Sequence, residues 1–215
     1  MNLTGAINGL LFDLDGTLVD SARETAQILN SMRADRNLVA LPEQAYRRFV
    51  SHGAAALVGH ACSAHQLAPL IQEFRERYRE IRTPADSLYD GVVETLVSLK
   101  HNGIACGICT NKPDFLCQRV LEDTGIAHLF DTVVAANPKL RAKPDRQPVE
   151  YALAQMGITA ENAALIGDSC VDQQTALASG IPFIFFAAGY DDGVDVSRTD
   201  ATITRLEQLI PIVLS

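Results

Sequence analysis

The chain has 215 residues, 47% of them apolar, no Trp and a formal charge of −8. That length allows one good-sized domain with an appended module, and the acidic balance argues against nucleic acid as a partner. No apolar run reaches the roughly 20 residues that span a bilayer, and Met1 to Leu11 lacks both a basic head and a long apolar segment; the expected compartment is the cytoplasm, with no membrane partner.

Short apolar runs alternate with helical periods over most of the chain, the pattern of an α/β fold with a doubly wound parallel sheet. The first run is Gly9 to Asp15, whose acids Asp13 and Asp15 point the same way at the strand end before Gly16 lets the chain turn. From 18 to 85 no strand is expected, and helical periods follow one another. The clearest puts Leu67, Leu70, Ile71, Phe74, Tyr78 and Ile81 on one stripe, with Glu73, Arg75, Glu76, Arg77, Arg79 and Glu80 mostly on other faces. This segment is expected to form a helical cap domain, residues 18–85, over a core built from 1–17 and 86–215. Inserted directly after the Asp pair, it would lie over the carboxyl edge of the sheet, where open α/β proteins bind ligands.

Val92, Val93, Leu96 and Leu99 then share a helix face closed by Gly103, and a strand is expected over Ile104 to Cys109. Thr110 and Asn111 precede a helix that Pro113 opens and Gly125 closes. A strand over Thr132 to Ala135 leads to Lys143-Pro144 in a polar segment, and a helix runs from about Pro148 through Met156 to Gly157. The strand Ala163 to Ile166 delivers Gly167-Asp168-Ser169, with Asp172 four residues after Asp168, and the last expected strand is Pro182 to Ala187. Asp191, Asp192 and Asp195 read as a solvated loop. The five cysteines are odd in number and mostly sit in apolar stretches, which suits a reducing compartment. Cys106 and Cys109 have the spacing of a metal pair, but without a second pair and inside a strand they read as buried thiols.

Each polar segment alone has a plainer reading: Thr110-Asn111 as a helix cap, Lys143 as a surface charge, one acid of the 168–172 segment as a cap. Jointly they fall at the same edge of one sheet, which independent caps would not require. Asp13, Asp15, Asp168 and Asp172 set four negative charges against Lys143, so a phosphate dianion would be repelled. One divalent cation leaves about −1, and a proton on Asp15 removes the rest. A Mg²⁺ site is therefore expected at Asp13 and Asp168.

Asp13-Leu-Asp-Gly-Thr17, Thr110-Asn111, Lys143-Pro144 and Gly167-Asp168-Ser169 with Asp172 resemble, in order and spacing, the four motifs of the haloacid-dehalogenase-like hydrolase superfamily, over essentially the whole chain. The resemblance implies that Asp13 is a nucleophile taking up a phosphoryl group and that Asp15 protonates the leaving group and later activates water. It gives Mg²⁺ to the Asp13 carboxylate, the Asp15 backbone carbonyl and Asp168, with Ser169 and Asp172 behind them or Asp172 paired with Lys143. Thr110, Asn111 and Lys143 would hold phosphate oxygens. Dehalogenating members do not carry the second Asp, so Asp15 favours a phosphatase. The insert position and the pieces Val19-Asp-Ser21, Leu88-Tyr-Asp-Gly91 and Gly189-Tyr190 resemble phosphoglycolate-phosphatase-like members. Arg47 to Gly53 is only loosely similar to their substrate-facing loop; Arg48 or His52 would meet a substrate carboxylate, the plainer readings being an exposed helix charge and a polar loop residue.

The expected function is Mg²⁺-dependent hydrolysis of a small phosphorylated metabolite, 2-phosphoglycolate first, by a monomer or small homo-oligomer. The alternatives are a sugar phosphomutase or inorganic pyrophosphatase on the same scaffold, or a non-enzymatic receiver-like module phosphorylated on Asp13. The insert and Asp15 argue against the last.

Overall fold

In the computed structural model, which describes residues 6–62 and 66–214, six strands form one all-parallel sheet. Residues 1–5, part of the N-terminal segment considered above, lie outside the described residues. The strands are β1 (Gly9–Phe12), β2 (Ala105–Pro113), β3 (Thr132–Ala136), β4 (Ala163–Gly167), β5 (Phe183–Phe186) and β6 (Ala201–Ile203), in the order β3-β2-β1-β4-β5-β6. β1 is central, in register with β2 from Gly9↔Ala105 and with β4 from Gly9↔Ala163.

The central strands are apolar on both faces because both faces are covered. Leu10, Phe12, Ile108, Ile166 and Phe186 enter one core with α5 (Val92–His101), α6 (Asp114–Thr124) and α9 (Leu209–Val213). Leu11, Cys109, Val134, Leu165 and Phe185 enter the other with α7 (Gln147–Met156) and α8 (Cys170–Ser179). Cys106 and Cys109, three residues apart in β2, thus face opposite ways as buried free thiols, each pushed up to about 12 by burial. The edge strand β6 was not among the expected strands: it is three residues long and only Ile203 is buried, too short a run to mark itself by periodicity.

Between β1 and α5 the chain builds α1 (Ala22–Ala34), α2 (Gln44–Arg47), α3 (Ala54–Cys62) and α4 (Leu67–Glu80). These helices share a hydrophobic cluster that includes Leu29, Met32, Tyr46, Val58, Phe74 and Tyr78. The expected stripe on α4 is the face it buries: Phe74 and Tyr78 are fully enclosed, and Leu67, Leu70, Ile71 and Ile81 pack against them. Leu116 of α6 and Tyr190, beyond β5, join the same cluster, so this apolar surface is continuous with side chains from the sheet's carboxyl edge. Among the described residues no helix is long and apolar enough to cross a membrane.

Candidate active site

Strand order reverses about β1, whose neighbours lead outward in opposite senses, and the crevice of a doubly wound sheet opens at the carboxyl ends of the strands on either side of such a point. Asp13 follows β1 directly, Thr110 to Lys112 form the irregular end of β2, and Asp168 follows β4. Lys143 comes from the segment between β3 and α7. Its ammonium lies 2.9 Å from Asp13 Oδ1 and 2.6 Å from Asp172 Oδ1, tying three segments together in a buried cluster.

Local sequence accounts for the orientation of each acid. Ser169 caps α8: its hydroxyl accepts the Asp172 N–H, while Asp172 Oδ2 accepts from the Ser169 N–H and hydroxyl, a reciprocal capping box that points the other Asp172 oxygen at Lys143. Asp168 accepts Thr17 Oγ1 at 3.1 Å and the Tyr190 N–H at 2.8 Å. Gly16 and Gly189 let the backbone press against that carboxylate. Gly16 has φ +88°, and a Cβ at either position would run into Asp168. One carboxylate oxygen from each of Asp13, Asp168 and Asp172 lies within 4.8 Å of those of the other two. Burial pushes the Asp13 carboxyl up to about 6; Lys143 opposes the shift, and Asp172 and Asp15 add to it. Burial, then Asp172 and Asp13, holds Asp168 well above the usual carboxylate range. Burial disfavours the Lys143 charge, but Asp13 and Asp172 beside it outweigh burial and raise its pKa. Among the described residues no donor meets Asp13 Oδ2, so one oxygen of that carboxylate is held and the other is free to react.

Lys112 is the group that sequence reasoning passed over. It is buried at the end of β2, with Nζ 2.9 and 3.1 Å from the two Asp15 oxygens and 3.0 Å from the Tyr78 hydroxyl of α4. Burial again opposes its charge, and Asp15 and Tyr78 raise it. Ser21 Oγ donates to Asp15 Oδ1 at 2.5 Å, so two side chains hold that carboxylate with three hydrogen bonds. The cluster therefore holds four carboxylates and two ammoniums, not one. This corrects the expected charge balance: with one divalent cation the site comes to zero, and the proton that Asp15 brings to the leaving group then leaves it one positive charge with which to receive a phosphate dianion. Its place in Thr110-Asn111-Lys112 was a usable signal, since the two residues before it were already expected at the crevice edge.

Thr110 is buried at the same edge, its hydroxyl accepting the Lys112 N–H. Asn111 binds backbone: its oxygen accepts the Lys143 N–H at 2.8 Å, and its amide donates to the Lys143 and Ser51 carbonyls at 3.1 and 3.4 Å. It thus holds the Lys143 loop. Arg48 is exposed, its guanidinium 4.9 Å over the Phe49 ring. His52 Nε2 lies 2.6 Å from Asp192 Oδ2. Neither joins the carboxylate cluster. Asp192 also corrects the solvated-loop reading: its side chain is only 4% exposed and accepts the Cys170 N–H at the start of α8.

A doubly wound sheet with a buried acid and lysine cluster at its switch point defines a hydrolase-type α/β site of the kind that handles phosphoryl groups. The chain belongs to the haloacid dehalogenase-like hydrolase family, whose model matches residues 10–186. It is 34% identical over 192 residues to a phosphoglycolate phosphatase of Rhodospirillum rubrum, covering 84% of this chain and 80% of that one. It is 33% identical over 188 residues to the N-acetylmuramic acid 6-phosphate phosphatase of Pseudomonas aeruginosa, covering 86% and 83%. Among solved structures it superimposes with TM-score 0.84 on a protein of Haemophilus somnus described as a predicted phosphoglycolate phosphatase, at 26% identity and covering 97% and 99% of the two chains.

Proposed function

We propose that this enzyme is a Mg²⁺-dependent phosphomonoester hydrolase working through a phosphoryl group carried on Asp13, with 2-phosphoglycolate as its leading substrate, in the cytoplasm. The observation that carries the reading is Asp13 itself: one oxygen is held by Lys143 and, among the described residues, the other meets no donor in a buried site. Three buried carboxylates within 4.8 Å of one another fit a hard divalent cation. With Asp172 engaged by Lys143 and Ser169, the ligands would be the Asp13 and Asp168 carboxylates and the Asp15 backbone carbonyl. Bound Mg²⁺ would supply countercharge for the phosphoryl oxygens.

The chain's own groups do the remaining chemistry. The free Asp13 oxygen attacks phosphorus as the leaving-group oxygen departs with a proton from Asp15. Water then displaces the Asp13 oxygen from phosphorus, giving its proton to Asp15 and regenerating both carboxyls. Lys143 and Thr110 offer donors to the equatorial oxygens, where the charge of a loose transition state resides. Lys112 sets the position of Asp15. We assign residues 18–85 as a cap domain on the core of 1–17 and 86–215, with Tyr78 of α4 reaching Lys112 as the link between them.

The test is phosphate release from a panel holding 2-phosphoglycolate, N-acetylmuramic acid 6-phosphate, sugar phosphates and diphosphate, each with and without Mg²⁺. Metal-dependent preference for 2-phosphoglycolate is the expected result. Turnover confined to diphosphate, or transfer back to a sugar, would replace the reading with a pyrophosphatase or a mutase.

A further inference from the structure

Among the described residues, one arginine of α4 meets no partner. Arg77 on the same helix pairs with Glu73 and Asp35, and Arg79 lies over the Phe115 ring. Arg75 is half-buried: its Nε is enclosed and unpartnered, and among the described residues no acceptor meets its guanidinium. Buried donors are almost always satisfied, and a charged donor left open inside a protein is a strong demand for an acceptor.

The space it faces is a small cavity of about 40 Å³, lined by Arg75, Leu57 and Phe74 on one side and by Asp15, Asn111 and Lys112 on the other. Asp15 lines this cavity and Asp13 does not, so it sits on the side of the acid that meets the leaving group, away from the nucleophile. Arg75 and Asn111 also line an adjoining cleft, so Arg75 stands where the inner cavity meets a route outward. Asp114 also lines that outer cleft. In the inner cavity Lys112 already answers Asp15, and the guanidinium is surplus positive charge.

Resting on the phosphatase reading above, we infer that Arg75 determines specificity, receiving a carboxylate on the leaving group of a short phosphorylated hydroxy acid. A planar guanidinium matches a carboxylate with two parallel hydrogen bonds. The cavity has room for about three waters, which suits a leaving group of a few atoms and excludes a sugar ring in this conformation. The role that sequence similarity offered to Arg48 or His52 falls instead to a helix position that looked solvent-facing.

The experiment compares kcat/KM for 2-phosphoglycolate and for ethyl phosphate, which carries a methyl group in place of the carboxylate, in the wild type and in Arg75→Ala, Arg75→Lys and Arg75→Glu. The wild type should prefer the acid. In R75A the ratio of the two values should fall about 10- to 100-fold, as for loss of hydrogen bonds to a charged group. R75K should keep part of the preference, and R75E should shift it toward phosphoethanolamine; circular dichroism and melting of each variant check that the fold is kept. Equal loss on both esters in R75A and R75K, or an unchanged ratio, would overturn the assignment of Arg75 while leaving the phosphatase reading in place. Failure of the wild type to hydrolyse either ester while it releases phosphate from another member of the panel would overturn this assignment and the choice of 2-phosphoglycolate, and failure on the whole panel would overturn the phosphatase reading itself.

Discussion

Each carboxylate of the site is distinguished by what holds it. Asp13 keeps one oxygen free, Asp15 is cradled by Lys112 and Ser21, Asp168 is pinned by Thr17 and the Tyr190 N–H, and Asp172 is spent on Lys143 and its own helix cap. Asp13→Asn should therefore lower phosphate release by at least about a thousandfold, as for loss of a nucleophile, with circular dichroism unchanged; substantial residual turnover would remove Asp13 from that role. Lys112→Met leaves the Asp15 carboxylate buried beside Tyr78 with its cation gone. Breaking a buried pair from one side costs about 3 kcal/mol or more, so urea unfolding should show a loss of that size, and an unchanged midpoint would contradict the pairing. Arg75 shows how the residue scale escaped the sequence. It was set among the polar faces of α4, yet it lies four residues after Ile71 and three before Tyr78, at the border of the apolar stripe, where a long side chain can turn inward.

At the scale of elements, the strand ends matter more than the strands. Periodicity found five of six strands and the α4 stripe, because two covered faces demand apolar runs and one covered face demands a 3.6-residue period. It could not find β6, three residues at an edge. Nor could it tell that β2 continues to Pro113 with a register irregularity after Cys109, which carries Thr110, Asn111 and Lys112 into the crevice. The start of α8 serves both helix and site, since the same serine that caps its N-terminus orients Asp172 toward Lys143. Ser169→Ala should cost about 1 kcal/mol, the usual worth of an N-cap, and should also lower kcat by loosening Lys143. A stability loss without any change in kcat would confine Ser169 to capping.

Across the whole molecule, the acid cluster couples stability to pH and metal. Burial pushes Asp13 up to about 6, with Lys143 opposing, and moves Asp168 in the same upward direction. Between about pH 4 and 6 the folded protein therefore keeps a proton on Asp13 that the unfolded chain has released. Stability from this group falls as pH rises through that window, and the full penalty stands above it. In EDTA, the stability of Asp13→Asn relative to wild type should rise from pH 4 to 6 and level off above, read by thermal melting. At pH 7 Mg²⁺ should raise the wild-type melting temperature and raise that of Asp13→Asn less. A flat difference across pH, or equal metal effects in both proteins, would remove Asp13 from the cluster's titration and from its cation site.

The sequence by itself determined the parallel α/β architecture, the helical character of 18–85 and the set of acids with Lys143, because strand and helix periods are local and an ordered series of polar strand ends has few explanations. Tertiary structure alone decided which polar groups meet. Lys112 is 97 residues from Asp15 and Tyr78 is 34 from Lys112, and no local rule brings them within hydrogen-bond reach. The same holds for the partners of His52 and Asn111 and for the solitude of Arg75. A side chain's partner is set by how separate elements pack, and packing is a property of the whole chain.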